Sequence, residues 1–88
     1  MGEVLAADNF GNLLTNIPSR KVDDGDEILV AGRVLRRANT YGDGSPGDLL
    51  ALIGSDGFIE IAVRDGSAAQ VLGAPDGQSV MCRRKAFS

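Results

Sequence analysis

At 88 residues, the chain is long enough for one small domain, which buries only about 60% of the surface that its unfolded form exposes. Nine Lys and Arg residues against twelve Asp and Glu residues give a net charge of −3, which argues against a general nucleic-acid binder. There is no histidine and a single cysteine, Cys82. These counts exclude Ser-His and Cys-His catalytic pairs, histidine metal ligands and an internal disulfide.

Five Asp-Gly pairs divide the chain, and this pair favours tight turns because both residues tolerate positive φ. Short strands separated by turns at such spacing are typical of a small antiparallel barrel or sandwich. We predict an all-β fold, a small antiparallel β-barrel that residues 1–88 form as a single domain. The apolar stretches that supply its strands lie at residues 3–7, 13–17, 27–35, 49–53, 58–63 and 79–84.

One short segment near residues 67–72 is a candidate helix. Ser67 is a suitable N-cap, alanines follow it, and Gly73 can end the helix. Three apolar residues, Ala68, Val71 and Leu72, have the spacing of one helix face. A helix this short requires packing against the rest of the fold to be stable.

The chain carries no visible signal for a membrane or for export. Its start has no basic segment followed by a long apolar one, and the longest uncharged apolar run, residues 49–53, is far too short to cross a bilayer. We therefore expect a cytoplasmic protein with no membrane partner.

Two other patterns have ordinary explanations. Residues 42–47 match the spacing of a dinucleotide-binding loop, but Pro46 interrupts the loop and a strand-like stretch follows it, so a turn-rich loop is predicted. The acidic residues at 23–27 lack the ligand spacing of a calcium-binding loop and are read as a solvated turn. We predict no metal and no cofactor.

Three segments offer polar groups where a ligand could approach the backbone. Asp8 and Asn12 flank a glycine-containing turn, and Ser55 lies between two glycines whose N–H groups an anion could reach. Gly66 precedes the candidate helix and could present further N–H donors. On composition alone, roles as turn and cap residues are the favoured explanation for all of them.

The order of these segments resembles the C-terminal domain of the S-adenosyl-L-methionine hydroxide adenosyltransferase family, which includes halide-using fluorinase and chlorinase relatives. The resemblance covers nearly the whole chain. Its motifs are D-x-F-G-N-x-x-T-N-I from residue 8, T-Y at residues 40–41, G-S-x-G-x-x-E-I-A from residue 54 and G-S-A-A from residue 66.

The resemblance implies a small β-barrel that holds the methionine and adenine ends of the substrate. By motif, Asp8 would contact the methionine ammonium group, Asn12 the adenine, and Tyr41 the adenosyl group. Ser55 would contact the methionine carboxylate, and backbone groups around Asp65 and Gly66 would meet the adenine edge.

Two departures accompany the resemblance. Asp56 stands where the halogenating relatives place an arginine beside the serine, and this acid opposes carboxylate binding. In addition, the family's water-activating residues belong to an N-terminal domain whose residues have no counterpart in the 88 residues. We therefore expect no catalytic residue here and no hydrolysis by this chain alone.

Three hypotheses remain open at this point, and a fourth, an OB-like nucleic-acid binder, is disfavoured by the negative net charge. The first is a stand-alone domain that binds adenosine or S-adenosylmethionine weakly or acts as an assembly module. The second is a component that completes a hydrolase in trans with a separate N-terminal domain. The third is a purely structural homo-oligomer, for which the resemblance suggests a trimer.

Overall fold

The computed structural model describes residues 2–23, 25–38, 45–73 and 75–84. Within these ranges the chain forms seven strands, one short helix and a single turn of 3-10 helix at Ser19–Lys21. The strands are β1 (Gly2–Ala7), β2 (Leu13–Pro18), β3 (Glu27–Val30), β4 (Arg33–Arg36), β5 (Leu49–Ile53), β6 (Phe58–Val63) and β7 (Ser79–Arg83), and the helix is α1 (Ala68–Leu72).

The seven strands form one sheet in the order β4-β3-β7-β1-β2-β6-β5, with antiparallel pairing between all neighbours. The two outer strands approach each other, because Arg37 and Ala51 form an isolated parallel bridge and Ala38 N–H donates to Ala51 O at 2.8 Å. The sheet is thereby nearly closed into a barrel. The prediction of an all-β antiparallel barrel with one short helix is confirmed.

The predicted stretch at residues 27–35 is divided into the two strands β3 and β4. Val30 pairs with Arg33, so the connection is a two-residue turn of Ala31 and Gly32. Both have positive φ, 50° for Ala31 and 76° for Gly32, as a tight hairpin turn with the twist of its strands requires. Ala31-Gly32 therefore makes a tight turn of the kind predicted for the Asp-Gly pairs.

Helix α1 ends as its sequence predicts. The Ser67 hydroxyl accepts a hydrogen bond from Gln70 N–H at 3.2 Å, and Gly73 at φ 60° donates its N–H to Ala69 O at 3.0 Å. Ala68 is fully buried, whereas Val71 is 47% exposed. The predicted apolar face is therefore only partly buried, because a helix of five residues has little more than one turn to place against the barrel.

Alternate residues of the strands point into the barrel and form its core, as the period of a strand requires. Thr15 is the polar exception. Thr15 lies in a segment where β2 has two residues more than the paired segment of β6, so the hydrogen-bond ladder between the two strands is interrupted there. The Thr15 hydroxyl donates to Ile59 O at 2.6 Å and accepts from Ile17 N–H at 3.3 Å, which satisfies backbone groups that the interruption leaves without ladder partners.

In the parts of the chain that the structure describes, no helix has the length and apolar character needed to cross a membrane.

Candidate functional site

The turn between β1 and β2 is organised by the Asp8 carboxylate. One of its oxygens accepts hydrogen bonds from Phe10 N–H at 2.9 Å and Asn12 N–H at 3.0 Å. The other accepts from the Asn12 side-chain amide at 3.2 Å. Backbone bonds from Asp8 N–H to Asn12 O and from Gly11 N–H to Asp8 O complete the turn. Asp8 therefore fixes the orientation of Asn12 before any ligand is present.

This turn is joined to the start of α1 by a close approach at Gly11. Gly11 O accepts a hydrogen bond from Ala69 N–H at 2.9 Å. A Cβ atom at Gly11 would overlap the Ser67 hydroxyl, and the φ of Gly11 is +83°. Only glycine satisfies both constraints without strain. The contact between Gly11 and Ser67, which we call the clasp, holds the loop that follows β6 against the turn of Asp8.

The clasp creates a pocket at this end of the barrel. The pocket is open to solvent, has a volume of about 410 Å³, and is lined by Phe10, Asn12, Asp65 and Gly66. We call it the turn pocket. Phe10 forms an exposed wall, with 79% of its surface accessible. Asp65 has a φ of 60°, which is unusual for a residue with a side chain and typical of a constrained loop.

Four of the six predicted site residues come together here. Asn12, Asp65 and Gly66 line the turn pocket, and Asp8 is hydrogen-bonded to Asn12. Phe10 was part of the motif but was not predicted as a site residue. Its signal in the sequence was an aromatic side chain next to a glycine in a polar turn, where burial is difficult. Tyr41 lies outside the described residues.

Ser55 lies at the opposite end of β6, in the turn that joins β5 to β6. It is exposed, and the turn is closed by hydrogen bonds from Gly57 N–H to Gly54 O at 3.0 Å and from Phe58 N–H to the Asp56 carboxylate at 3.2 Å. A strand of six residues spans about 20 Å. Ser55 is therefore separated from Asp65 and Gly66 by the length of the strand.

Glu60, on the outer surface of β6, lies between the two ends. Its carboxylate rests against Gly54, where an added Cβ would lie 2.9 Å from Oε2. Burial raises the pKa of Glu60, and the nearby carboxylates of Asp8 and Asp56 raise it further. Glu60 belongs to the motif that begins at residue 54 but was not predicted as a site residue, because its proximity to Asp8 depends on pairing between strands that are distant in sequence. The three carboxylates make this surface attractive to cations.

Two other features that could carry chemistry, a metal-binding cluster and the thiol of Cys82, were considered in the described residues. The chain has no histidine, and the described ranges contain no group of three or more metal-binding side chains. Cys82 is half-buried against the core. Burial raises the pKa of its thiol, with Asp26 and Asp23 adding to the shift, so Cys82 is a poor nucleophile at neutral pH.

Comparison with known proteins shows which domain family the chain resembles. Residues 2–81 match the family model described as the SAM hydroxide adenosyltransferase C-terminal domain. A curated protein from Thermus thermophilus named (R)-S-adenosyl-L-methionine hydrolase is 39% identical over 79 residues, which are 90% of this chain and 30% of the relative. One of the same name from Salinispora tropica is 36% identical over 76 residues, 85% of this chain and 29% of the relative.

Solved structures show the same fold. An uncharacterized conserved protein from Thermotoga maritima superposes with a TM-score of 0.81 at 37% identity, over 94% of this chain and 35% of its own. A conserved hypothetical protein from Thermus thermophilus superposes with a TM-score of 0.82 at 36% identity, over 92% of this chain and 34% of its own.

The chain spans about 30% of the length of the curated relatives that it matches. The family model, by contrast, covers nearly all of the chain, and the motifs of the two turns lie within the matched residues. The chain thus belongs to the family of SAM hydroxide adenosyltransferase C-terminal domains.

Proposed function

We propose that this chain is the ligand-holding part of an S-adenosylmethionine-hydrolysing site, which binds the adenosine portion weakly and does not hydrolyse the ligand by itself. The observation that carries the proposal is the turn pocket, in which Asn12, Asp65, Gly66 and Phe10 converge. The curated relatives named as hydrolases have about 70% of their length outside the matched region, where residues that activate water can reside.

The turn pocket suits a purine. The Asn12 side chain is already oriented by Asp8, and an amide can both donate to and accept from an adenine edge. Phe10 offers an exposed aromatic surface for stacking, and the backbone at Asp65 and Gly66 borders the same space. Because these groups are held by the clasp, little ordering is needed when the ligand binds.

The methionine portion would lie along the outer surface of β6. The Asp8 and Glu60 carboxylates favour the positive sulfonium and ammonium groups of S-adenosylmethionine. Ser55 and the N–H groups of its turn would receive the methionine carboxylate. Asp56 is adjacent and repels that carboxylate, so the chain alone would hold the methionine end less firmly than the adenine.

Isothermal titration calorimetry tests the proposal with S-adenosylmethionine, adenosine and methionine as separate ligands. We expect binding of the first two with Kd on the order of 1 mM or below, and weaker binding of methionine. Phe10→Ala should weaken adenosine binding, since Phe10 is exposed and its removal spares the core. Met81→Ala, an exposed position on β7, is the matched control and should leave binding unchanged. The absence of heat with every ligand would contradict the proposal.

A second candidate function is suggested by the small share of the relatives' length that the chain spans. Completion of a hydrolase in trans by a separate N-terminal domain would place the turn pocket beside residues that activate water. Adenosine release should then appear only when this chain and an N-terminal portion of such a relative are mixed. Release no greater than that of the N-terminal portion alone would leave ligand binding as the function.

A further inference from the structure

A second pocket lies at the end of the barrel away from the turn pocket. It is bordered by the end of β2, the turn before β3 and the end of β7, and we call it the far pocket. Strand β2 runs from the turn of Asp8 to Pro18, and its six residues span about 20 Å, so the two pockets are separated by about the length of this strand. The far pocket has a volume of about 310 Å³, at the small end of the range for ligand sites.

One part of the far pocket is apolar. Ile17 is buried, whereas Pro18 and Cys82 are half-buried, and all three line the pocket. Cys82 pairs with Ile28 in the strand register and packs against the core, so its position is fixed by the sheet. This part of the pocket therefore suits a small apolar group.

Two carboxylates of the turn before β3 line the same pocket. Asp26 is only 7% exposed, and one of its carboxylate oxygens accepts a hydrogen bond from Asp23 N–H at 2.9 Å. Asp26 N–H donates in turn to Asp23 O at 3.0 Å, and Arg37 N–H donates to Asp26 O at 3.3 Å, which ties the turn to the chain that follows β4. Burial raises the pKa of the Cys82 thiol, and Asp26 and Asp23 act in the same direction, so both negative charges are felt in the apolar part of the pocket.

Two cationic side chains complete the lining of the far pocket. Lys21 ends the 3-10 turn, Arg84 follows β7, and both are exposed. Within the part of the chain that the structure describes, neither side chain forms an ion pair or a hydrogen bond, although the Asp23 carboxylate lines the same pocket. Opposite charges that are held apart around one pocket can both be satisfied by a ligand that carries a charge of each sign.

We propose that the far pocket binds a free α-amino acid with an apolar side chain. The carboxylate of the ligand lies between Lys21 and Arg84, and its ammonium group reaches Asp23. The apolar side chain of the ligand packs against Ile17 and Cys82. Charge-assisted hydrogen bonds of both signs select an amino acid over a molecule that carries only one of the two charges.

Charge and size decide against other ligands. Two carboxylates repel the phosphates of a nucleotide, and the volume of the pocket is small for one. A metal ion is disfavoured because the described ranges contain no group of three or more metal-binding side chains. The far pocket shares no residue with the turn pocket, so amino-acid binding there is independent of the proposed adenosine binding.

Alkylation of Cys82 by iodoacetamide tests the proposal, because Cys82 is the only cysteine of the chain and lines the far pocket. Mass spectrometry follows the rate of alkylation at constant pH while leucine is added. A bound ligand should shield the thiol, so leucine should slow alkylation about fivefold or more at saturation, with half of the effect at about 1 mM. Adenosine should leave the rate unchanged, and protection by adenosine equal to that by leucine would overturn the assignment to a separate pocket.

Two analogues of leucine test the two charges of the ligand. Leucinamide keeps the ammonium group but has no carboxylate, and 4-methylpentanoate keeps the carboxylate but has no ammonium group. Each should require a concentration about tenfold higher than leucine for the same protection. Equal protection by leucine and by either analogue would overturn the proposal, because one of the two charges would then have no partner in the pocket.

Variants of the charged residues test the protein side of the same contacts. Lys21→Met and Asp23→Asn should each raise the leucine concentration for half-protection about fivefold or more, since each removes one charged partner. Arg33→Met and Asp76→Asn remove the same charges at exposed positions outside the pocket and should leave that concentration unchanged. Circular dichroism melts verify that the variants fold, and Arg84→Met replaces Asp23→Asn if the latter disturbs its turn. An alkylation rate that leucine does not change, or protection that all of these variants retain in full, overturns the proposal.

Discussion

The two ends of β6 carry parts of the same candidate site, but they are built differently. At one end, the turn of Asp8 and the loop of Asp65 are joined by the clasp between Gly11 and Ser67. At the other, Ser55 lies in an exposed turn whose hydrogen bonds are local, apart from the bond that Ser19 N–H donates to Gly57 O. The end at the turn pocket is thus organised by contacts between distant segments, whereas the Ser55 end is a surface turn.

This difference predicts that a glycine matters far more at the clasp than at the Ser55 turn. Gly11→Ala would place a methyl group against Ser67 and also force alanine into φ +83°, so we expect a loss of about 3 kcal/mol in the free energy of unfolding. Urea denaturation measures this loss, and the turn pocket should lose ligand affinity as well.

Gly57→Ala is the matched control, because Gly57 has nearly the same φ, +88°, but nothing lies within 4 Å of an added Cβ. Its loss should be about 1 kcal/mol, from the backbone strain alone. Equal losses for the two variants would mean that the clasp adds nothing beyond the strain.

The next largest loss of stability is expected at the interrupted hydrogen-bond ladder between β2 and β6. Thr15→Val keeps the shape of the side chain but removes the buried hydroxyl that bonds Ile59 O and Ile17 N–H. We expect a loss of about 1–2 kcal/mol in the free energy of unfolding, since buried polar groups are left unsatisfied. Thermal denaturation with a van't Hoff analysis measures it.

Asn16→Ala serves for comparison in the same strand. The Asn16 side chain accepts a hydrogen bond from Glu3 N–H at 2.8 Å, but the bond is exposed, and water can replace it. Its removal should cost about 0.5 kcal/mol. A larger loss for Asn16→Ala than for Thr15→Val would show that the hydroxyl is not what sustains the interrupted pairing.

Much of the fold could be predicted from the sequence, because its signals are local. The stretches at 49–53 and 58–63 coincide with β5 and β6, and Ser67 and Gly73 cap α1 as the pattern of these residues indicates. The turn at Ala31, which divides residues 27–35 into β3 and β4, was harder to predict. Alanine rarely adopts positive φ, and only the pairing of β3 with β4 compensates for this conformation.

The candidate site was predictable only in part, because its members meet through the strand order. Asp8 and Asn12 could be paired from the sequence since they share one turn. Glu60 could not, because Asp8 and Glu60 approach only after β2 pairs with both β1 and β6. Phe10 was not predicted as a site residue, because its place beside a glycine in a polar turn indicates exposure but not that the ring borders a pocket.

Smaller effects are expected from the polar side chains at the two ends. Asp8→Ala removes three hydrogen bonds within the turn and should lower the free energy of unfolding by about 1 kcal/mol. Ser55→Ala, at the exposed turn, should change it by less than about 0.5 kcal/mol. Chemical denaturation of both variants compares the ends directly, and equal changes would contradict the contrast drawn between them.

The smallest effect is expected at the carboxyl group of Glu60, which lies between the two ends of β6. The pKa of Glu60 is raised in the folded chain above its ordinary value of 4.5, first by burial and then by Asp8 and Asp56. The folded state therefore favours the protonated form. The free energy of unfolding therefore increases as the pH falls through the raised pKa of Glu60, and this increase is complete below pH 4.5. The added stability is lost again as the pH rises through the raised pKa.

Glu60→Gln should accordingly raise the melting temperature slightly at neutral pH and make little difference well below pH 4.5, where Glu60 is protonated in both states. Glu3→Gln, at an exposed position of β1, controls for the loss of one negative charge. Melting curves of the three proteins across this pH range measure the effect. A lower melting temperature for Glu60→Gln at neutral pH would mean that the ionised carboxylate stabilises the fold through attractive contacts that outweigh burial and repulsion.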